Sequence, residues 1–253
     1  GLNAYEMFAQ PRKAYILLGV EPDLDCHNPL LATEALKQAS LVVSMSPYKH
    51  SAALEYADVL LPVAPFTETS GTFVNAEGRI QSFSGVVRPL GDTRPGWKVL
   101  RVLGNLLGLL GFDHESSEQV RDEVMPGAGQ FADGLNNAIG DLPLTLEQSE
   151  VSASLQRIAQ VPIYFSDALV RGAASLQMTK DSAVPAVRLA KETIEKLGLS
   201  VGEAVRVIQN AGQAVLEVEV DDAVPAGCAR VLAGHAGTAM LGDMFGVITV
   251  ERA

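Results

Sequence analysis

The sequence predicts an α/β layered domain built on a parallel sheet, followed by a small β-barrel. Three observations carry this prediction. Short apolar runs alternate with helix-forming stretches between Ala14 and Val63. An amphipathic helix signal follows at Pro95–Gly111. From Val161 onward, short strand signals crowd around a single helix, the pattern of a small barrel.

"AYILLGV", Ala14 to Val20, reads as a buried strand. "PLLATEALKQA", Pro29 to Ala39, reads as a helix with Pro29 in its first turn. "LVVSMS", Leu41 to Ser46, is a second buried strand, and "SAALEYA", Ser51 to Ala57, a short helix with a Ser cap. "DVLLPV", Asp58 to Val63, is a third strand, stopped by Pro62. Strands joined by helical crossovers run parallel, and ligands of such sheets sit beyond the strands' carboxyl ends. The polar loop "ETSGTFVNAEGRIQSF", Glu68 to Phe83, follows the third strand there. Trp97, Leu100, Leu103, Leu106, Leu107 and Leu110 fall on one helical face, predicting a core-facing helix closed by Gly111, with Gly104 and Gly108 allowing close packing.

Residues 113–160 read as a connector of short helices and loops, in which Asp113 to Glu123 is a solvated acidic helix face rather than a metal site. "VPIYF" and "DALVR" are strand candidates; "VPAVRLAKETIEKLGL" gives a strand and a helix closed by Gly198. "GEAVRVIQNAGQAVLEVEV" is a hairpin turning at Asn210-Ala211-Gly212, and "CARVLAG" and "FGVITVER" supply further strands. The expected division is 1–112 α/β domain, 113–160 connector and 161–253 barrel.

The 253 residues are 47% hydrophobic and 19% charged, a globular composition with a net charge of −11. That charge disfavours nucleic acid and anionic membrane surfaces as partners. No apolar run is long enough to span a bilayer. Cys26 and Cys228 stand apart, which is not a secreted disulfide framework and favours a reducing compartment. The chain opens on "GLNAYEM" and reads as a piece of a longer protein, with Gly1 a cloning remnant.

His27, His50, His114 and His235 show no zinc-type spacing; Cys26-His27 is the nearest approach. No P-loop, G-x-S-x-G nucleophile or iron–sulfur cysteine cluster is present. "GNLLGLLG" lies inside the helix and is no dinucleotide fingerprint. "GHAGTAMLG", Gly234 to Gly242, is either a connecting loop or a ligand loop at the barrel rim. In the polar loop, Glu68 and Glu77 are acceptors, Thr69, Thr72 and Asn75 hydrogen bonders, and Arg79 a fork donor. These groups could grip a heterocycle or a phosphate, or satisfy one another and the backbone.

Together, "YADVLLPVAPFTETSGTFVNAEGRIQSF" and "PLGDTRPGWKVLRVLGNLLG" resemble the C-terminal half of the large iron–sulfur subunit of proton-pumping NADH:quinone oxidoreductase, which is respiratory complex I. The wider family is the molybdopterin oxidoreductases, which include formate dehydrogenases and nitrate reductases. The resemblance rests on Ala57 to Pro62, Glu68, Gly71, Thr72, Asn75, Glu77, Gly78, Arg79, Gly91, Arg94 and Trp97, and covers about Ala14 to Gly111. It implies that the barrel is of the double-psi type that closes over a pterin dinucleotide. It also implies that no cofactor is held in this piece, that iron–sulfur clusters belong to an N-terminal part, and that molybdopterin is lost. Catalytic and metal residues are then expected to be none, with Glu68, Thr72, Asn75, Glu77, Arg79 and His235 as vestigial cofactor-side groups. The implied partners are that N-terminal part and other peripheral-arm subunits of complex I, without direct membrane insertion, on the cytoplasmic face of the bacterial inner membrane. The alternative is a piece of a formate dehydrogenase or nitrate reductase that still binds the pterin guanine dinucleotide. A third reading is a stand-alone small-molecule binding module.

Overall fold

A computed structural model of the chain describes residues 1–125, 154–182 and 184–253. It divides into two compact units: residues 1–44, 48–59 and 149–253, and residues 45–47 and 60–148. This division differs from the sequence-drawn one, because the first strands and the barrel share a unit. Residues 126–153 of the expected connector lie outside the described residues.

Strands β1 Ala14–Leu18, β2 Leu41–Ser46 and β3 Val59–Pro62 form a three-stranded sheet in the order β1-β2-β3. Helices α1 Ala4–Ala9, α2 Pro22–Asp25, α3 Pro29–Lys37 and α4 Ala53–Tyr56 flank it in sequence. Asn28 caps α3 by accepting from the Leu31 amide at 2.9 Å, and Pro29 opens the helix as expected. Ala32, Ala35 and Leu36 face inward at helical spacing. Tyr15, Leu17, Leu36, Val42, Ala53 and Tyr56 form the core beneath the sheet. The Asp58 carboxylate accepts from the Val42 amide at 2.7 Å, and the Asp58 amide donates to the Val42 carbonyl at 2.9 Å. These bonds fix the strand entry to β2. The continuous apolar run of β1 implied burial on both faces, yet Ile16 and Leu18 are half exposed while Tyr15 and Leu17 are buried. Among the described residues, only one face of β1 is covered.

Six further strands are β6 Leu155–Ile158, β7 Ala186–Leu189, β8 Ala204–Gln209, β9 Gly212–Val220, β10 Cys228–Val231 and β11 Phe245–Arg252. They close a barrel in the order β10-β6-β11-β8-β9-β7. The pairs β10–β6 and β7–β9 are parallel; the others are antiparallel. Strict alternation along β9 buries Ala214, Leu216 and Val218 against Val187, Val205, Val207 and Val231. The hairpin turns through Asn210 and Ala211, with Asn210 left-handed at φ 50° and Gln209 paired to Gly212. Lys191–Leu197 is a helix ended by left-handed Gly198, as the sequence predicted.

Two expectations here were wrong. "VPIYF" and "DALVR" are not strands: Ile163–Phe165 is a 3₁₀ turn and Ala168–Gly172 a short helix. The Asp167 carboxylate caps that helix by accepting from the Leu169 and Val170 amides, which favours a helix over extension. The missing strand is β6, which lies inside the stretch read as connector.

In the second unit the polar loop is itself a hairpin. β4 Gly71–Val74 pairs antiparallel with β5 Ile80–Phe83, and Phe73 stacks on Phe83 at 5.0 Å. Gly71 faces Phe83 so closely that a side chain there would displace the ring. Helix α5, Gly96–Leu106, ends earlier than expected, at left-handed Gly108 and not at Gly111. Its apolar face is only partly covered: Trp97, Leu100 and Leu103 are half-buried, while Leu106, and Leu107 and Leu110 beyond the helix end, are exposed. Gly104 does permit close packing, because the Phe112 ring lies against it. Helix α6, Ser117–Val124, carries no buried residue, which agrees with a solvated acidic face.

Candidate functional site

The hairpin turn places the residues expected on the cofactor side. The Asn75 side-chain oxygen accepts from the Glu77 amide at 3.0 Å and the Arg79 amide at 2.8 Å, closing the turn around Gly78 at φ 78°. Thr72 and Ser82 share a hydroxyl bond across the strands at 3.0 Å. Arg79 and Glu77 approach to 3.9 Å as an exposed pair. Glu68 accepts from the Leu90 amide at 2.9 Å, tying the 3₁₀ turn Phe66–Glu68 to the segment leading into α5. Asn75, Glu77 and Arg79 therefore come together at the turn, Thr72 lies along the hairpin, and Glu68 braces a neighbouring loop.

Beside Glu68 opens a groove of about 630 Å³ lined by Thr69, Ser70, Arg88, Arg94, Trp97 and Lys98, among others. Three cations in one lining stand out in a chain of net charge −11. Lys98 also sits over the Trp97 ring at 5.3 Å. The indole Nε1 of Trp97 is buried and has no hydrogen-bond partner among the described residues.

His235 lies in the other unit, at the barrel loop. Its Nδ1 accepts from the Gly237 amide at 2.9 Å, so a neutral ring carries its proton on Nε2. Phe165 packs against the ring at 5.0 Å, and burial lowers the pKa. The loop is held from within by Arg157, a residue the sequence reading missed. Arg157 is 2% exposed. Its guanidinium donates to the Gln209 side chain at 2.9 Å and to the carbonyls of Asp243 at 2.7 Å and Leu232 at 3.1 Å. Burial brings its pKa down to about 10, against the pull of Asp243. A lone Arg between Leu155 and Ile158 in an alternating run was the signal available in sequence.

At the carboxyl end of β1 the chain carries Glu21, Asp23 and Asp25. His50 Nε2 binds the Asp23 carboxylate at 2.8 and 2.9 Å, and His50 Nδ1 lies 3.8 Å from Glu21. Arg171 binds Glu21 and Asp25, each at 2.8 Å. The remaining Asp25 oxygen accepts from the Glu21 amide at 2.7 Å. The hydrogen bond to Asp23 holds the His50 pKa above the ordinary value, against desolvation. Burial first, then Asp25 and Asp23, pushes the Cys26 thiol up to about 11, which makes it a poor nucleophile. Cys26-His27 forms no ligand pair: Cys26 is a free thiol, and His27 stacks on Phe245 and lies 3.8 Å from Asp243. Among the described residues, no group of three or more His, Cys, Asp or Glu could hold a metal.

Residues 1–106 match the family model described as Molybdopterin oxidoreductase. Among curated proteins, a stretch of 69 residues is 42% identical to a protein named "Putative formate dehydrogenase" in Staphylococcus aureus strain USA300 and 39% identical to its namesake in strain MRSA252. That stretch is 27% of this chain and 7% of each relative. Among solved structures, acetylene hydratase from Pelobacter acetylenicus superposes with a TM-score of 0.71 at 19% identity, covering 98% of this chain and 46% of that one. The fold is therefore that of acetylene hydratase over the shared part, and the chain spans under half the length of that structure.

A molybdopterin cofactor brings phosphate groups, which call for free cationic or amide donors. The carboxyl edge of β1 does not fit them, since it presents three carboxylates that are already engaged. The groove bearing Arg88, Arg94 and Lys98 does fit them.

Proposed function

We propose that the chain is part of a molybdopterin-dependent oxidoreductase of the formate dehydrogenase type. The observation that carries this reading is the 42% identity to proteins of that name over 69 residues, within a chain whose first 106 residues match the family. Arg88, Arg94 and Lys98 would hold the anionic groups of the cofactor, with Trp97 forming part of the wall. The cofactor, when bound, supplies the metal-centred redox chemistry. The residues of this chain bind and orient: Glu68 fixes the groove rim through the Leu90 amide, and Asn75 sets the hairpin turn. The barrel, read as the double-psi type, contributes the loop that Arg157 anchors.

A second reading, the large iron–sulfur subunit of proton-pumping NADH:quinone oxidoreductase, is favoured by one observation. The side chains expected on the cofactor side bond within the chain, as in a scaffold that no longer carries the cofactor. The relatives reported above favour the first reading over this one.

The deciding experiment purifies the full-length protein anaerobically and assays molybdenum, tungsten, iron and acid-released guanine nucleotide. Molybdenum or tungsten with nucleotide, and formate-dependent dye reduction, is expected. Iron alone, with NADH-dependent activity in a larger assembly, sinks this reading and supports the second.

A further inference from the structure

The carboxyl end of β1 is where a parallel sheet ordinarily receives a ligand. Here it is filled from within the chain. The Arg171 side chain is 9% exposed and the Glu21 side chain 8%. The guanidinium binds Glu21 through Nε and Nη2, binds Asp25 through Nη2, and donates from Nη1 to the Phe165 carbonyl at 2.8 Å. His50 covers both oxygens of Asp23. Every oxygen of the three carboxylates thus has a hydrogen-bond partner or, for Glu21 Oε1, the His50 ring within 4 Å. The helix bearing Arg171 is seated by a second contact: Gly172 lies so close to the Tyr48 ring that a β-carbon there would come within 2.9 Å.

We propose that the carboxyl end of β1 is a guanidinium-binding site whose resident ligand is the chain's own Arg171, with His50 engaging the third carboxylate. The planar fork of Arg171 meets two carboxylates at once, which an ammonium could not match. An anionic nucleotide meets three carboxylates there, with Arg171 already engaged by two of them, so this edge is closed to it. The closure holds under either functional reading above.

In the full chain, Arg171→Ala leaves a hole of guanidinium shape lined by unpaired carboxylates, and should lower Tm by roughly 6–15 °C. Millimolar ethylguanidinium should restore part of that loss, while choline at the same concentration should not. Wild-type Arg171 should resist phenylglyoxal, read by mass spectrometry. Millimolar GDP, which on our reading meets the separate groove, should leave the His50 imidazole resonances unchanged. Equal rescue by choline, ready labelling of Arg171 in the folded protein, or GDP-dependent shifts of His50 overturn the proposal. Should Arg171→Ala not fold, the labelling and GDP measurements on the wild type decide alone. Metal and nucleotide contents, which test the functional reading, are unaffected by either outcome.

Discussion

A β-carbon added to Gly212 would collide with the carbonyl oxygen of Met240. Gly212 opens β9, and Met240 lies in the 3₁₀ turn Ala239–Leu241, which packs on β8 and β9. The glycine is needed for close backbone approach, not for a turn angle. Because the obstacle is backbone, the clash cannot be relieved by a rotamer change. Gly212→Ala should destabilise by about 1–3 kcal/mol, seen as a lower urea midpoint. An unchanged midpoint would show that the turn moves freely.

Gly104 poses the opposite contest. On propensity alone, Gly104→Ala should stabilise α5 by about 1 kcal/mol. The Phe112 ring against it decides otherwise. The segment carrying Phe112 is pinned by Asn105, which donates to the Phe112 carbonyl at 3.0 Å, and by Arg101, which donates to the His114 carbonyl at 2.9 Å. The net effect should be destabilising, by about 1–3 kcal/mol. Circular dichroism melts of the variant check the sign.

The two half-buried histidines should give stability a maximum near neutral pH. His50 has a raised folded pKa, so its contribution is full below the unfolded value of about 6.5 and is lost as pH rises through the folded value. The facing charges are Asp23 and Glu21, which favour the imidazolium, and Arg171, which opposes it. His235 has a lowered folded pKa, so stability falls as pH drops below about 6.5, where the unfolded chain takes up the proton. His50→Gln should flatten the alkaline limb of a Tm-versus-pH curve and leave the acid limb. Loss of the acid limb instead would refute the assignment.

Arg157 supports two carbonyls and the Gln209 side chain from inside the barrel. Arg157→Met should leave these acceptors without donors, at about 1–3 kcal/mol each before relaxation. Faster hydrogen exchange in residues 232–245 should accompany the loss. A variant as stable as wild type, with unchanged exchange, would mean that water replaces the guanidinium.

Much of the fold was legible because the signals are local. Short apolar runs gave β1, β2 and β3, Gly198 closed its helix, and the alternation through Val205–Val220 gave the hairpin. The failures share a cause. A run of five apolar or mixed residues such as "VPIYF" fits strand and helix periods equally, and the Asp167 cap that settled the next segment acts through backbone amides two and three residues on. The half-covered face of α5 was read as core because periodicity reports amphipathicity, not what lies opposite. Of the candidate residues, Asn75, Glu77 and Arg79 were legible as a cluster, since a turn brings near neighbours together.

Sequence by itself determined strands β1, β2 and β3, the helix closed by Gly198, the hairpin of β8 and β9, and the family likeness of residues 1–106. Each depends on side chains within a few positions of one another, where loop closure costs little. Tertiary structure alone decided that Arg171 meets Glu21 and Asp25, that Arg157 is buried beneath the loop of Asp243, and that Gly212 must be bare under Met240. Those pairs lie tens to hundreds of residues apart. Their encounter is set by how the barrel closes and packs, and no local period in the chain encodes it.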